Sequence, residues 1–150
     1  MALETPINRS VVVGSTSSAI AGVRKQILST LEANNFSQDD IFAVHLALEE
    51  AFLNALTHGN KMDPDKEIKI DYSVKSEKIE ITMADEGNGF NPESVPDPRL
   101  GENLYKTEGR GLFLVRAYMD MVEFNDRGNC VRMVRYKERP PLTKNNSIRA

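Results

Sequence analysis

The longest stretch of helical periodicity runs over residues 37–59. Ile41, Val44, Leu48, Ala51, Phe52 and Ala55 recur at three- and four-residue intervals and make one apolar face. Ala43, Ala47, Glu50 and Asn54 lie roughly opposite, a stripe of two small residues, a carboxylate and an amide. Glu50 and Asn54 stand about one turn apart. Phe42, Leu46 and Leu53 flank the stripe, so it does not simply face bulk water, and the two alanines leave room for something to lie against the helix. Ser37 and Asp40 have capping-box spacing, Phe36 and Ile41 sit as a hydrophobic staple, and Gly59 suits the residue after the helix end. Taken alone, a Glu/Asn pair on a helix is more often a solvated face than a site.

Elsewhere the period changes to two. Residues 7–13 end in Val11-Val12-Val13 before Gly14 and predict a first strand. Ser15, Thr16 and Ser17 offer caps for a helix to about Asn34, with Ile20, Val23, Ile27 and Leu31 on its apolar face. Residues 67–75 and 78–85 both alternate and predict an antiparallel hairpin turning at Ser76-Glu77. Asp85 is the anomaly, because period two puts it on the same face as Ile79, Ile81 and Met83. A carboxylate there is costly unless hydrogen-bonded. Glu86-Gly87-Asn88-Gly89 follows, and its glycines permit tight turning and close backbone approach. Two readings stand: a strand end fraying into a turn, or a carboxylate held at a pocket rim to accept hydrogen bonds from a ligand.

Residues 90–108 have no period and carry Pro92, Pro96, Pro98 and Gly101, which predicts a lid or binding loop. They lead through Thr107-Glu108-Gly109-Arg110-Gly111 into an apolar helix over 112–119, ended by Asp120. A Gly-x-Gly turn opening a helix is a candidate anion cradle; Arg110 either adds a charge-assisted phosphate contact or is exposed. Residues 122–125 and 131–136 predict a second hairpin around 126–129. These elements are assigned to one domain over residues 1–137. The polar, proline-marked segment 138–150 is expected to be a disordered tail.

Composition narrows the function classes. At 150 residues the chain can bury a real core, and 40% hydrophobic with 27% charged residues is ordinary for a soluble domain. A net charge of −3 argues against sequence-independent nucleic-acid binding. No apolar run approaches a membrane span and no secretory leader pattern opens the chain, so neither membrane nor export is expected. Cys130 is the single cysteine, which excludes a disulfide framework and a cysteine-based zinc site; it reads as an inert strand residue in a cytoplasmic protein.

Glu50-x-x-x-Asn54, Asp85-x-Gly87-x-Gly89, a long loop and Gly109-x-Gly111 follow one another in a fixed order. That order resembles the Bergerat ATP-binding fold shared by gyrase, Hsp90, histidine kinases and MutL. Glu50 to Asn54 is similar to its N box, and Asp85-x-Gly87-x-Gly89 and Gly109-x-Gly111 to its two glycine boxes. Within that superfamily the chain most resembles anti-sigma factor serine-protein kinases. The resemblance rests on Glu50-Ala51-Phe52-Leu53-Asn54-Ala55 continuing to His58-Gly59, on 85–92, and on 108–112. It covers about residues 10–137.

The resemblance implies a two-layer α/β sandwich, with a mixed, mostly antiparallel sheet covered on one face by helices. It implies that Asn54 ligates Mg²⁺, that Asp85 binds the adenine amino group of ATP and that Glu50 is the general base taking a proton from an acceptor serine. Gly87 and Gly89 would shape the pocket, and Thr107, Gly109, Arg110 and Gly111 would bind the phosphate end. Glu49 is a rival to Glu50 by type but points about one residue's rotation away from Asn54. His58 either approaches the phosphates or caps the helix end. The implied partners are a sigma factor and an antagonist (anti-anti-sigma) protein phosphorylated on serine or threonine, with a homodimer as a common family state. The competing readings are an ATP-holding switch that sequesters a partner without phosphotransfer, and a histidine-kinase-type catalytic domain. An ATPase like gyrase or Hsp90 is a third, for which the chain has no length to carry transducer domains.

Overall fold

The computed structural model describes residues 5–87 and 107–137, apart from the side chains of 107–110 and 112. Gly89, the predicted lid up to residue 106 and the predicted tail lie outside the described residues. The alternating segments form strands β1 (Ile7–Gly14), β2 (Glu67–Val74), β3 (Lys78–Ala84), β4 (Met121–Phe124) and β5 (Cys130–Tyr136). They make one sheet in the order β1-β2-β3-β5-β4, and all four pairings are antiparallel rather than mixed. Register follows the alternation: Ile70 pairs Met83, and Met83 pairs Val131. A slip by one residue would turn every apolar side chain to the other face.

The helices are α1 (Ala21–Ala33, entered through a 3-10 turn Ser17–Ile20), α2 (Gln38–Asn54) and α3 (Thr107–Tyr118). Ile20, Val23, Ile27 and Leu31 of the first segment are buried, as are Val44, Leu48, Ala51 and Phe52 of α2. They meet Ile68, Ile70, Val74, Ile79, Ile81 and Met83 from the inner face of the sheet in one core. On the outer face, Glu80 and Glu123 hold Arg132, and Lys78 reaches Glu80. Helices on one face and charged side chains on the other give the expected two-layer sandwich.

The capping box forms as predicted, with Ser37 Oγ accepting from Asp40 N at 3.0 Å and Asp40 Oδ2 accepting from Ser37 N at 3.4 Å. Two expectations need correction, at Gly59 and at the start of α3. Ala43 and Ala47 do leave room for a neighbour, and both are buried. Antiparallel α3 lies against them: the Tyr118 ring meets Phe42 edge-on at 5.8 Å, and Gly111 lies beside Glu50. Gly59 does not stop the helix in a left-handed conformation. α2 runs on into a π-helical turn, Ala55–Gly59, with Asn60 N donating to Ala55 O, and the left-handed residues come later, at Lys61 and Met62. Lastly, α3 begins at Thr107, so Gly109 and Gly111 are inside its opening turns and not in a loop before it.

Candidate functional site

Each side chain of the site is placed by a separate structural device. The capping box fixes the start of α2, and its helical rise carries Glu50 and Asn54 to the opposite end. The π turn widens the helix just beyond Asn54, a distortion that recurs at functional sites. Asp85 comes from the end of β3, where its N–H donates to Asn129 O in the β4–β5 turn at 2.9 Å. Glu50, Asn54, His58 and Asp85 line one cleft. Met83, Val115, Phe124 and Val131 supply its apolar lining, and Gly128 and Asn129 part of its rim. Mostly apolar walls with a few convergent polar groups are the usual makeup of a small-ligand site.

Asp85 lies just past the end of β3 and lines this cleft. Its Oδ1 accepts the Gly87 N–H at 2.8 Å. Burial pushes its pKa up, opposed by that hydrogen bond and by the Lys66 charge. Gly59 and Gly87 make the close approach that this geometry needs. A Cβ on Gly59 would collide with the Asp85 carboxylate, and one on Gly87 with the Gly59 carbonyl. The pair His58-Gly59 thus has a packing reason for its glycine that the sequence reading assigned to helix termination.

Glu50 stands near the second glycine motif. A Cβ on Gly111 would lie 2.9 Å from Glu50 Oε2, so the opening of α3 and the Glu50 carboxylate share one corner of the cleft. Glu49 is directed elsewhere, to Arg24 of α1 at 3.0 Å and His45 at 3.8 Å. That separates the two candidate carboxylates as the helical rotation requires. The backbone of Thr107, Gly109 and Arg110 lies in the first turns of α3, and the opening of a helix is where an anion is favoured.

Asn54 lines the cleft, and its side-chain amide carries an oxygen donor. Among the described residues no group of three or more His, Cys, Asp or Glu forms a metal cage. One oxygen donor at the mouth of a cleft fits a hard cation completed by phosphate oxygens and water. The sequence reading missed two residues. Asn60 sits in what read as a polar loop yet is fully buried, and Asn129 anchors Asp85 through its backbone and reaches Gly87 O at 3.4 Å. No local pattern marks a buried loop asparagine. For Asn129, the turn after Asp126 was visible but its contact across the sheet was not.

Residues 13–135 match the family model described as a histidine kinase-like ATPase domain. The chain is 30% identical over 117 residues to the serine-protein kinase RsbW of Listeria innocua serovar 6a, covering 73% of this chain and 74% of that protein. It is 28% identical over 138 residues to the serine-protein kinase RsbW of Bacillus licheniformis, covering 85% and 84%. The corresponding Bacillus subtilis kinase is 27% identical over 121 residues, 76% of each. Among solved structures, the RsbU and RsbW domains of a Mycobacterium tuberculosis protein match with a TM-score of 0.60 at 15% identity, over 92% of this chain and 35% of that one, a likeness of fold. No helix among the described residues is long and apolar enough to cross a membrane. With the sandwich, the cleft and the ordered motifs in agreement, the chain belongs to the histidine kinase-like ATPase domain family.

Proposed function

We propose that this chain is an ATP-dependent serine/threonine protein kinase of the anti-sigma type. It binds a sigma factor and phosphorylates an antagonist protein, so that phosphorylation decides which partner is held. The kinase domain is assigned to residues 1–137. The observation that carries this reading is the convergence of Glu50, Asn54 and Asp85, from two elements far apart in sequence, on one cleft.

Position supports the following roles. Asp85, beside Gly59, accepts a hydrogen bond from the exocyclic amine of adenine. Asn54 would hold Mg²⁺, which when bound would supply positive charge to offset that of the phosphates. The opening of α3, with Thr107, Gly109, Arg110 and Gly111, takes the phosphate tail. Glu50, one turn before Asn54 and beside Gly111, is placed to meet an acceptor serine approaching the γ-phosphate. It takes the hydroxyl proton as Oγ bonds to phosphorus. The bond from the γ-phosphorus to the β–γ bridging oxygen breaks, and ADP leaves with that oxygen.

The test is transfer from γ-labelled ATP, with Mg²⁺, to candidate antagonist proteins from the same genome. Label on a serine or threonine of one candidate is the expected result. Tight ATP binding with no label on any antagonist would favour a nucleotide-held sequestering switch instead.

A further inference from the structure

We propose that Asn60 is the positioning residue that fixes the Asp85 carboxylate for reading the base; the inference rests on the ATP-binding role given to Asp85 above. Asn60 is 0% exposed and, besides its C=O, which accepts the Asp63 N–H at 3.0 Å, bonds in four directions. Its N–H donates to Ala55 O at 2.8 Å, closing the π turn. Its amide nitrogen donates to Ser15 Oγ at 2.9 Å and to Glu67 O at 3.0 Å, at the starts of the first helical segment and of β2. Its Oδ1 accepts the Glu86 N–H at 2.8 Å.

The first three bonds are those of a structural asparagine tying a loop to its neighbours. The fourth lands between Asp85 and Gly87, the two residues whose mutual hydrogen bond orients the carboxylate. Gly59, the preceding residue, abuts that carboxylate, and the Gly59 carbonyl abuts Gly87. Residues 59–60 and 85–87 are therefore keyed together by one buried amide and two close backbone approaches. Because Asn60 also ends the turn that follows Asn54, it sets the base-reading group relative to the helix that carries Asn54 and Glu50. Without the amide, Glu86 N–H loses its partner and the Asp85 turn can shift away from Gly59. A carboxylate free to move discriminates poorly between a base presenting an amine and one presenting a carbonyl.

The readout is the ratio of dissociation constants for inosine triphosphate and ATP, which differ at that position of the base. Partial unfolding scales both constants alike and leaves their ratio unchanged. The full chain and Asn60→Ser are compared by calorimetry, with folding checked by circular dichroism. The expected result is wild-type preference for ATP and a ratio narrowed about fivefold in Asn60→Ser, the scale of one buried hydrogen bond. If that variant does not fold, Ser15→Ala, which removes the hydroxyl that accepts from the Asn60 amide and donates to Lys66 O at 2.7 Å, should narrow the ratio by about twofold. An unchanged ratio in the folded variant, with wild-type preference intact, would overturn the role of Asn60 alone. A wild type that does not prefer ATP would remove the role of Asp85, and that of Asn60 with it.

Discussion

At the scale of single residues, burial sets the behaviour of Asp85. Burial raises the folded-state pKa of this carboxyl above its ordinary value, so the folded chain holds the proton more tightly than the unfolded one. Between the ordinary and raised values, stability contributed by the neutral form is lost as pH rises, and at neutral pH the ionised group opposes folding. Asp85→Asn should therefore raise the melting temperature of the nucleotide-free protein at pH 7 and weaken ATP binding by about tenfold or more. A lower melting temperature would contradict the desolvation argument, and unchanged affinity the base-reading role. Gly59→Ala tests the neighbouring contact. The backbone of Gly59 lies outside the left-handed region, so alanine is conformationally acceptable, and only its methyl group meets Asp85. Displacing the carboxylate should weaken ATP binding by about tenfold, in keeping with the usual cost of overpacking; titration calorimetry reads it. Asp85 was legible in the sequence because it broke an alternation. Gly59 was visible too, but its reason was not, since its partner lies 26 positions on.

At the scale of elements, α2 is read almost whole from sequence. Its cap, its apolar face and its Glu50/Asn54 pair are all local consequences of spacing. What spacing could not reveal is how its start is held. Asp40, 0% exposed, is both the capping-box residue and the partner of Arg135 in β5 at 3.0 Å. Arg135 also donates to Tyr118 O at 2.8 Å, at the carbonyl end of α3. One guanidinium thus joins the first turn of α2, the last turn of α3 and an inner strand. Ninety-five residues separate Asp40 from Arg135, and no local rule links them. Removing one member of a buried ion pair leaves the other uncompensated, so Arg135→Ala should cost about 3 kcal/mol in urea unfolding. A loss below about 1 kcal/mol would make the pair no more than a surface bridge.

At the scale of the whole molecule, the sequence carried the fold class, because alternation and helical period map directly onto which face is buried. It carried less of the sheet. The two hairpins were local, but the pairings of β1 with β2 and of β3 with β5, which make every pairing antiparallel, join segments separated by dozens of residues. It carried the order of the site motifs but not their meeting. Glu50, Asn54 and Asp85 share a cleft because the turn after α2 brings Gly59 against Asp85 at the end of β3, while Gly111 reaches Glu50 because α3 runs antiparallel to α2. Phosphate transfer in this cleft with Glu50 as base is tested most directly by Glu50→Gln, which keeps the shape of the side chain and removes its basicity, assayed with labelled ATP and the unphosphorylated acceptor protein. ATP affinity should stay within about twofold of wild type while transfer falls by about a hundredfold or more, the scale of general-base catalysis. Undiminished transfer by Glu50→Gln would contradict the role of Glu50 as base.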